Sequence, residues 1–277
     1  MPCRDRCARW HTGLLLNLKR KAPLVLSPRF LIYQHGARTA LFFALAALLC
    51  LPVVEHTVYA QGSDRIVTLG DDLSNEQQTE VLGLLGANRQ DRIIRVTSEE
   101  TTEASRGIIE IPPGTPSISS TSITCRPEGS GIDVQVQNIE EVTAGMYAQS
   151  LLTAGITDAD LRVAAPANAP AKGLTALVGI FKGYRLSPCA ERELDPARER
   201  LAQREIASTV RLGEALGDRE AATEELLNIH KAVVTRKLRG RSEIEQLITQ
   251  QLQGRGDVSA GVRTQLVDLM LDLQRRS

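Results

Sequence analysis

Residues 145–184, GMYAQSLLTAGITDADLRVAAPANAPAKGLTALVGIFKGY, decide the fold, because every local signal in them agrees. They read as helix, turn, strand, loop, helix. Thr143 stands before the first helix as its N-cap, Val142 and Tyr147 close over it as a hydrophobic staple, and Gly155 supplies the left-handed stop. Tyr147, Leu151 and Ala154 then share one helical face. Leu161 to Ala165 is a short apolar strand ending at Pro166, which cannot continue a central ladder. Leu174, Leu177, Val178, Phe181 and Tyr184 form a second apolar stripe at helical spacing. This block accounts for packing and carries no chemistry of its own.

Upstream of it, Arg65 to Leu69 and Arg92 to Thr97 read as strands. Between them Ser74 and Gln77 make a capping box, opening a helix whose Val81, Leu82, Leu84 and Leu85 face inward before Gly86. Ser98 to Arg106 reads as a short helix or a loop. Ile108 to Ser117 carries Pro112, Pro113 and Pro116, which make it an extended connector. Ser119 to Arg126 and Ile132 to Gln137 are β-rich runs flanking Pro127–Gly131, a hairpin signal. The alternation in IDVQVQ predicts one buried and one wet face.

Downstream, the composition shifts at Pro188 and Cys189, and no strand signal follows. Asp195 and Pro196 read as N-cap and N1, with Gly217 as the stop. Asp218 opens a helix running to Gly240. Ser242 with Glu245 forms a capping box ahead of Ile244, Leu247, Ile248 and Leu252. Val262, Leu266, Leu269, Met270 and Leu273 stripe the last helix. The expected class is α+β: a mixed α/β domain over residues 61–187, then amphipathic helices over 188–277 that pack as a small bundle or against the sheet.

Three stretches, VTLGDDLSNEQQTEVLGLLG, MYAQSLLTAGITDADLRVAAP and GLTALVGIFKGY, closely resemble the YpuA-like family of exported proteins, catalogued as domain of unknown function 1002. The resemblance covers about Arg65 to Tyr184 and continues more loosely to TQLVDLMLDLQ in the last helix. It implies a signal peptide, an extracytoplasmic location and an α/β region followed by helices. It implies no catalytic residue, because the family has no established activity. Gly183 and Arg185 depart from the family's usual small and acidic residues around Tyr184. The cysteine pair and the long basic leader are likewise outside its pattern.

The formal net charge of zero conceals a split. Residues 1–60 carry eight basic residues against Asp5 and Glu55, a net of +6, which leaves −6 on the remainder. This first segment reads as a basic leader. Arg38 closes the n-region, Ala40 to Cys50 is the apolar h-region, and Val58-Tyr59-Ala60 offers a cleavage site before Gln61. Residues 40–54 also allow a retained anchor, although a spanning helix takes roughly 20 apolar residues. A start codon placed too far upstream is the alternative reading of the long n-region. Leu49 stands where a lipoprotein signal needs a small residue, so Cys50 is not a lipidation site. The expected location is extracytoplasmic, secreted or tethered by residues 40–54, with membrane contact only through that segment if it is uncleaved.

Cleavage would leave two of the five cysteines, Cys125 and Cys189, a disulfide candidate in an exported protein. By the two-residue alternation Cys125 points with Ile123 to the core side, and Cys189 follows the helix of Phe181 and Tyr184 that covers that side. A pair of buried free thiols is the other reading.

No phosphate loop, HExxH, nucleophile elbow or Cys/His pairing occurs, so neither a cofactor nor a metal is expected. Asp71 and Asp72 precede a helix and favour its positive end. His230 is the single histidine after the leader and lies on an apolar helical seam, the setting of a core histidine. Lys231, Arg236, Lys237, Arg239 and Arg241 make a basic patch that suits an anionic wall polymer or lipid headgroup. A nucleic-acid role is not expected, given the acidic remainder and aromatics at only 3%. The expected function is a non-enzymatic envelope module binding an envelope component or a protein. The alternative is an extracytoplasmic hydrolase acting on wall polymer or glycan with paired carboxylates.

Overall fold

The computed structural model describes residues 64–190 and 193–276. The leader, its cleavage site at Ala60 and Gln61 and the anchor segment 40–54 lie outside the described residues.

Five strands, β1 (Ile66–Gly70), β2 (Arg92–Val96), β3 (Ser120–Cys125), β4 (Ile132–Gln137) and β5 (Ala159–Ala164), form one sheet in the order β2-β1-β3-β5-β4. β1 runs parallel to β2, β4 runs parallel to β5, and β3 lies antiparallel between the two pairs. The class is α+β, as the sequence implies. The hairpin expected of β3 and β4 does not form: β5 inserts between them, pairing Ile123 with Leu161 on one side and Val134 on the other. The Pro127–Gly131 segment still turns, with the Ser130 amide donating to the Pro127 carbonyl at 3.0 Å and the Gly131 amide to Asp158 Oδ1 at 2.8 Å. A turn signal fixes chain reversal and leaves the partner strand open. Ile132, Val134 and Val136 instead lie beside β5, partly buried against the core that α3 and α4 cover.

The helices are α1 (Asn75–Leu84), α2 (Ser98–Ser105), α3 (Ala144–Ala154), α4 (Ala176–Arg185), α5 (Pro196–Leu216), α6 (Arg219–Thr235), α7 (Arg241–Gln251) and α8 (Ala260–Arg276). The caps follow the sequence at α1, α3, α5 and α6: Ser74, Thr143, Asp195 and Asp218 each accept from a first-turn amide. α7 starts differently. Its N-cap is Gly240, and Glu243 rather than Glu245 reaches back to the Gly240 amide at 3.0 Å. α6 correspondingly ends at Thr235 instead of running to Gly240.

The two faces of β1 sort the layers. Val67 and Leu69 pack with Val81 and Leu85 beneath α1. Ile66 turns the other way and joins Ile123, Leu161 and Val163 under α3 and α4. α4 comes unusually near the sheet because Gly179 and Gly183 face it. A Cβ on Gly179 would stand 2.7 Å from Thr68 Oγ1, whose hydroxyl already bonds that of Thr121 at 2.6 Å. α5 lies across α3 and contributes Ala202, Ile206 and Val210 to the sheet-side core. On its other side Leu201 and Leu212 join α6, α7 and α8 in a second, all-helical core.

Candidate functional site

α5 carries an inward stripe that is not wholly apolar. Leu201, Ala202, Glu205, Ile206 and Thr209 fall on successive turns of one buried arc. A carboxylate taken out of water costs several kcal/mol unless it is paired or neutralised. Glu205 is only 1% exposed. Its Oε1 accepts from Gln149 Nε2 of α3 at 3.1 Å, while Oε2 makes no hydrogen bond of good geometry, with the Thr153 hydroxyl as a neighbour of the carboxyl. Burial pushes its pKa up to about 7, against the opposing pull of Thr153 and Gln149.

Glu205 lines a pocket of about 220 Å³ enclosed by α3, α5, α6 and α8. His230 of α6 lines the same pocket, and its Nε2 is buried and unpartnered. Desolvation holds its pKa below the usual imidazole value, so the ring is neutral at pH 7. The walls are Leu201 and Leu273, and at the mouth Leu152 and Leu227 are each 53% exposed. Arg198 and Arg276 stand at the rim, Arg276 facing Asp195 at 3.3 Å. A largely apolar wall with a few polar side chains is the kind of lining by which a binding pocket fixes a ligand's orientation. Among its lining residues Glu205 is the single carboxyl, whereas glycoside hydrolysis by paired carboxylates takes two.

His230 thus stands on the seam that the sequence gives it, and the structure adds an open pocket beside it. Glu205 was missed. Its signal was a carboxylate at the i+4 position after Leu201 on the buried side of an otherwise regular helix.

Cys125, the last residue of β3, and Cys189, just past α4, are joined by a disulfide, with Cα atoms 5.3 Å apart. The bond borders an open cleft of about 670 Å³ with Asp158, Tyr184 and Arg198. Another cleft, of about 680 Å³, lies between the α3 and α6 N-termini and gathers Glu140, Glu214, Asp218 and Glu220. Lys231, Arg236, Lys237, Arg239 and Arg241 are all exposed around the α6–α7 connection, and Arg241 pairs with Asp268. Asp71 pairs with Arg95 at 3.3 Å. Asp72 accepts from the Ser98 hydroxyl at 2.6 Å and the Ser117 amide at 2.7 Å, bonds that hold its carboxyl below the usual range. Both aspartates therefore brace the end of β1. Among the described residues no group of three or more His, Cys, Asp or Glu side chains is placed to hold a metal ion, and no helix is long and apolar enough to cross a membrane.

Residues 69–277 match the model of a family described as "Protein of unknown function (DUF1002)". The chain is also similar to the "Uncharacterized protein YpuA" of Bacillus subtilis (strain 168), 35% identical over 180 residues. That alignment covers 65% of this chain and 60% of the relative, so the chain spans about three fifths of the curated protein it matches. No solved structure matches.

Proposed function

Since this chain belongs to the DUF1002 family, we propose that it is an exported, non-enzymatic module of the cell envelope that holds a small ligand in the pocket between α3, α5, α6 and α8. One observation carries the binding role: Glu205 lines that pocket and is buried, with one of its oxygens left without a partner. Such a group costs stability and is kept where a ligand supplies the missing bond. Export is supported by the basic leader and apolar segment in the sequence and by the Cys125–Cys189 bond, which persists in an oxidising compartment.

The pocket is tested by thermal-shift screening of the full-length protein against small polar-headed molecules, in parallel with Thr153→Trp, which plugs the pocket. Stabilisers that lose their effect in Thr153→Trp are expected. Identical shifts in both proteins across the panel would reject the pocket. Export is tested separately by fractionating a bacterial host and determining the N-terminus of the exported protein, expected at Gln61. A membrane species that retains residues 40–60 would replace the cleaved signal by an anchor.

A further inference from the structure

Resting on the ligand-pocket reading above, we infer that the pocket takes a primary amine, bound as its ammonium ion and carried on a short apolar body. The inference comes from what the pocket lacks. Glu205 and His230 line the same pocket, and Glu205 Oε2 and His230 Nε2 are buried just behind its surface without partners. Once ionised, the Glu205 carboxylate accepts only, so the partner that stabilises its charged form is a donor. An ammonium group brings three donors and the charge that a buried carboxylate needs. An anionic head would instead be placed beside that carboxylate.

Size and walls set the rest of the molecule. About 220 Å³ is the liquid volume of roughly seven waters at about 30 Å³ each, which a ligand of similar size would displace. Leu152, Leu201, Leu227 and Leu273 offer such a ligand an apolar lining. A six-carbon alkyl amine matches both.

The charged groups around Glu205 permit this. From α3 come only the neutral Gln149 and Thr153, from α6 His230, from α5 Arg198, and from α8 Arg276. Arg276 faces Asp195, and at 41% side-chain exposure its charge is screened by water. Arg198 is left as a like charge at the mouth, which disfavours a second ammonium at the far end of the ligand. Diamines are therefore poor ligands. Seating an ammonium beside Glu205 expels the proton that burial keeps there at neutral pH, so binding strengthens as pH rises.

The test is calorimetric titration of the full-length protein with hexylammonium, hexan-1-ol, hexanoate and 1,6-diaminohexane at pH 6 and pH 8. Hexylammonium is expected to bind most tightly and to gain about tenfold in affinity between the two pH values, because a carboxyl titrating near 7 goes from mostly protonated to mostly ionised. Glu205→Gln is expected to abolish that gain and to weaken hexylammonium about tenfold or more, with a smaller effect on the uncharged hexan-1-ol. Should either variant misfold, the His230 ring resonances of the wild type serve instead, since hexylammonium at saturation must shift them. Tighter binding of hexan-1-ol or hexanoate, lost in Thr153→Trp, would overturn the amine while keeping the pocket. Binding of none of the four, or binding indifferent to Thr153→Trp, would overturn both.

Discussion

Glu205 and His230 sit against one pocket, and burial moves them in opposite directions on the pH scale. Folded Glu205 keeps its proton to about pH 7, whereas the unfolded chain releases it near 4.5. The folded state binds more protons across that window, so stability falls as pH rises through it and is level above. The full effect is about 3 kcal/mol. His230 acts with the other sign: its neutral ring is favoured by folding, and that contribution disappears as pH falls below 6.5. Urea unfolding at pH 5 and pH 8 separates them. Glu205→Gln is expected to gain on the wild type by about 2–3 kcal/mol more at pH 8 than at pH 5, and an equal difference at both would mean that Glu205 titrates normally. Gly179 gives a test free of charge. A methyl there lands 2.7 Å from Thr68 Oγ1, a short buried side chain that cannot swing away. Gly179→Ala should cost about 1–3 kcal/mol by overpacking, despite the better helix propensity of alanine. A raised melting temperature would show that α4 sits farther from the sheet.

At the scale of elements, capping chemistry proved legible and strand partners did not. Thr143, Gly155, Asp195 and Gly217 bound their helices where the sequence places them, because a cap is settled within a few residues. The place of β5 between β3 and β4 depends on contacts 34–44 residues apart in the chain with β3 and 27 apart with β4, with no local signal to carry them. Gly240 as the cap of α7 was hidden for a different reason: Ser242 offers the better cap chemistry but lies inside the first turn. The candidate site was legible only in its histidine. Glu205 looks like any charged residue of α5 until α3 and α6 cover that turn. The disulfide is the one long-range link that residue type alone pointed to, and it fastens the end of β3 to the chain leaving α4. It closes a loop with a sequence separation of 64, worth about 4 kcal/mol in the chain-entropy account. Reduction should lower the denaturation midpoint accordingly, and thiol counting on denatured, unreduced protein should find Cys125 and Cys189 blocked. Two titratable thiols at those positions would dismiss the bond.

Over the whole molecule α5 is the shared member. Its Ala202, Ile206 and Val210 complete the core beneath α3, while Leu201 and Leu212 begin the helical core with α6, α7 and α8. Arg185 at the end of α4 pairs with Glu199 on its first turns, adding a polar tie on the sheet side. We propose that the chain divides functionally near Leu186 to Asp195 while folding depends on α5 from both sides. Two truncations separate those roles. A chain ending at residue 190 uncovers Met146, Ser150 and Ala154 on α3, all buried in the intact protein. At roughly 25 cal/mol per Å² of apolar surface, baring one helical face removes several kcal/mol, a large share of the 5–15 kcal/mol that a domain has. A chain ending at Gly217 keeps that cover and gives up only the second core. The shorter chain is therefore expected to show collapsed amide dispersion and a broad, non-cooperative thermal transition. The longer one should keep dispersed amides and a single transition, though with Leu201 and Leu212 newly exposed it should self-associate at high concentration. A sharp transition in the chain ending at 190, equal to that of the chain ending at 217, would mean that the sheet domain stands without α5 and that the helical region is only docked upon it.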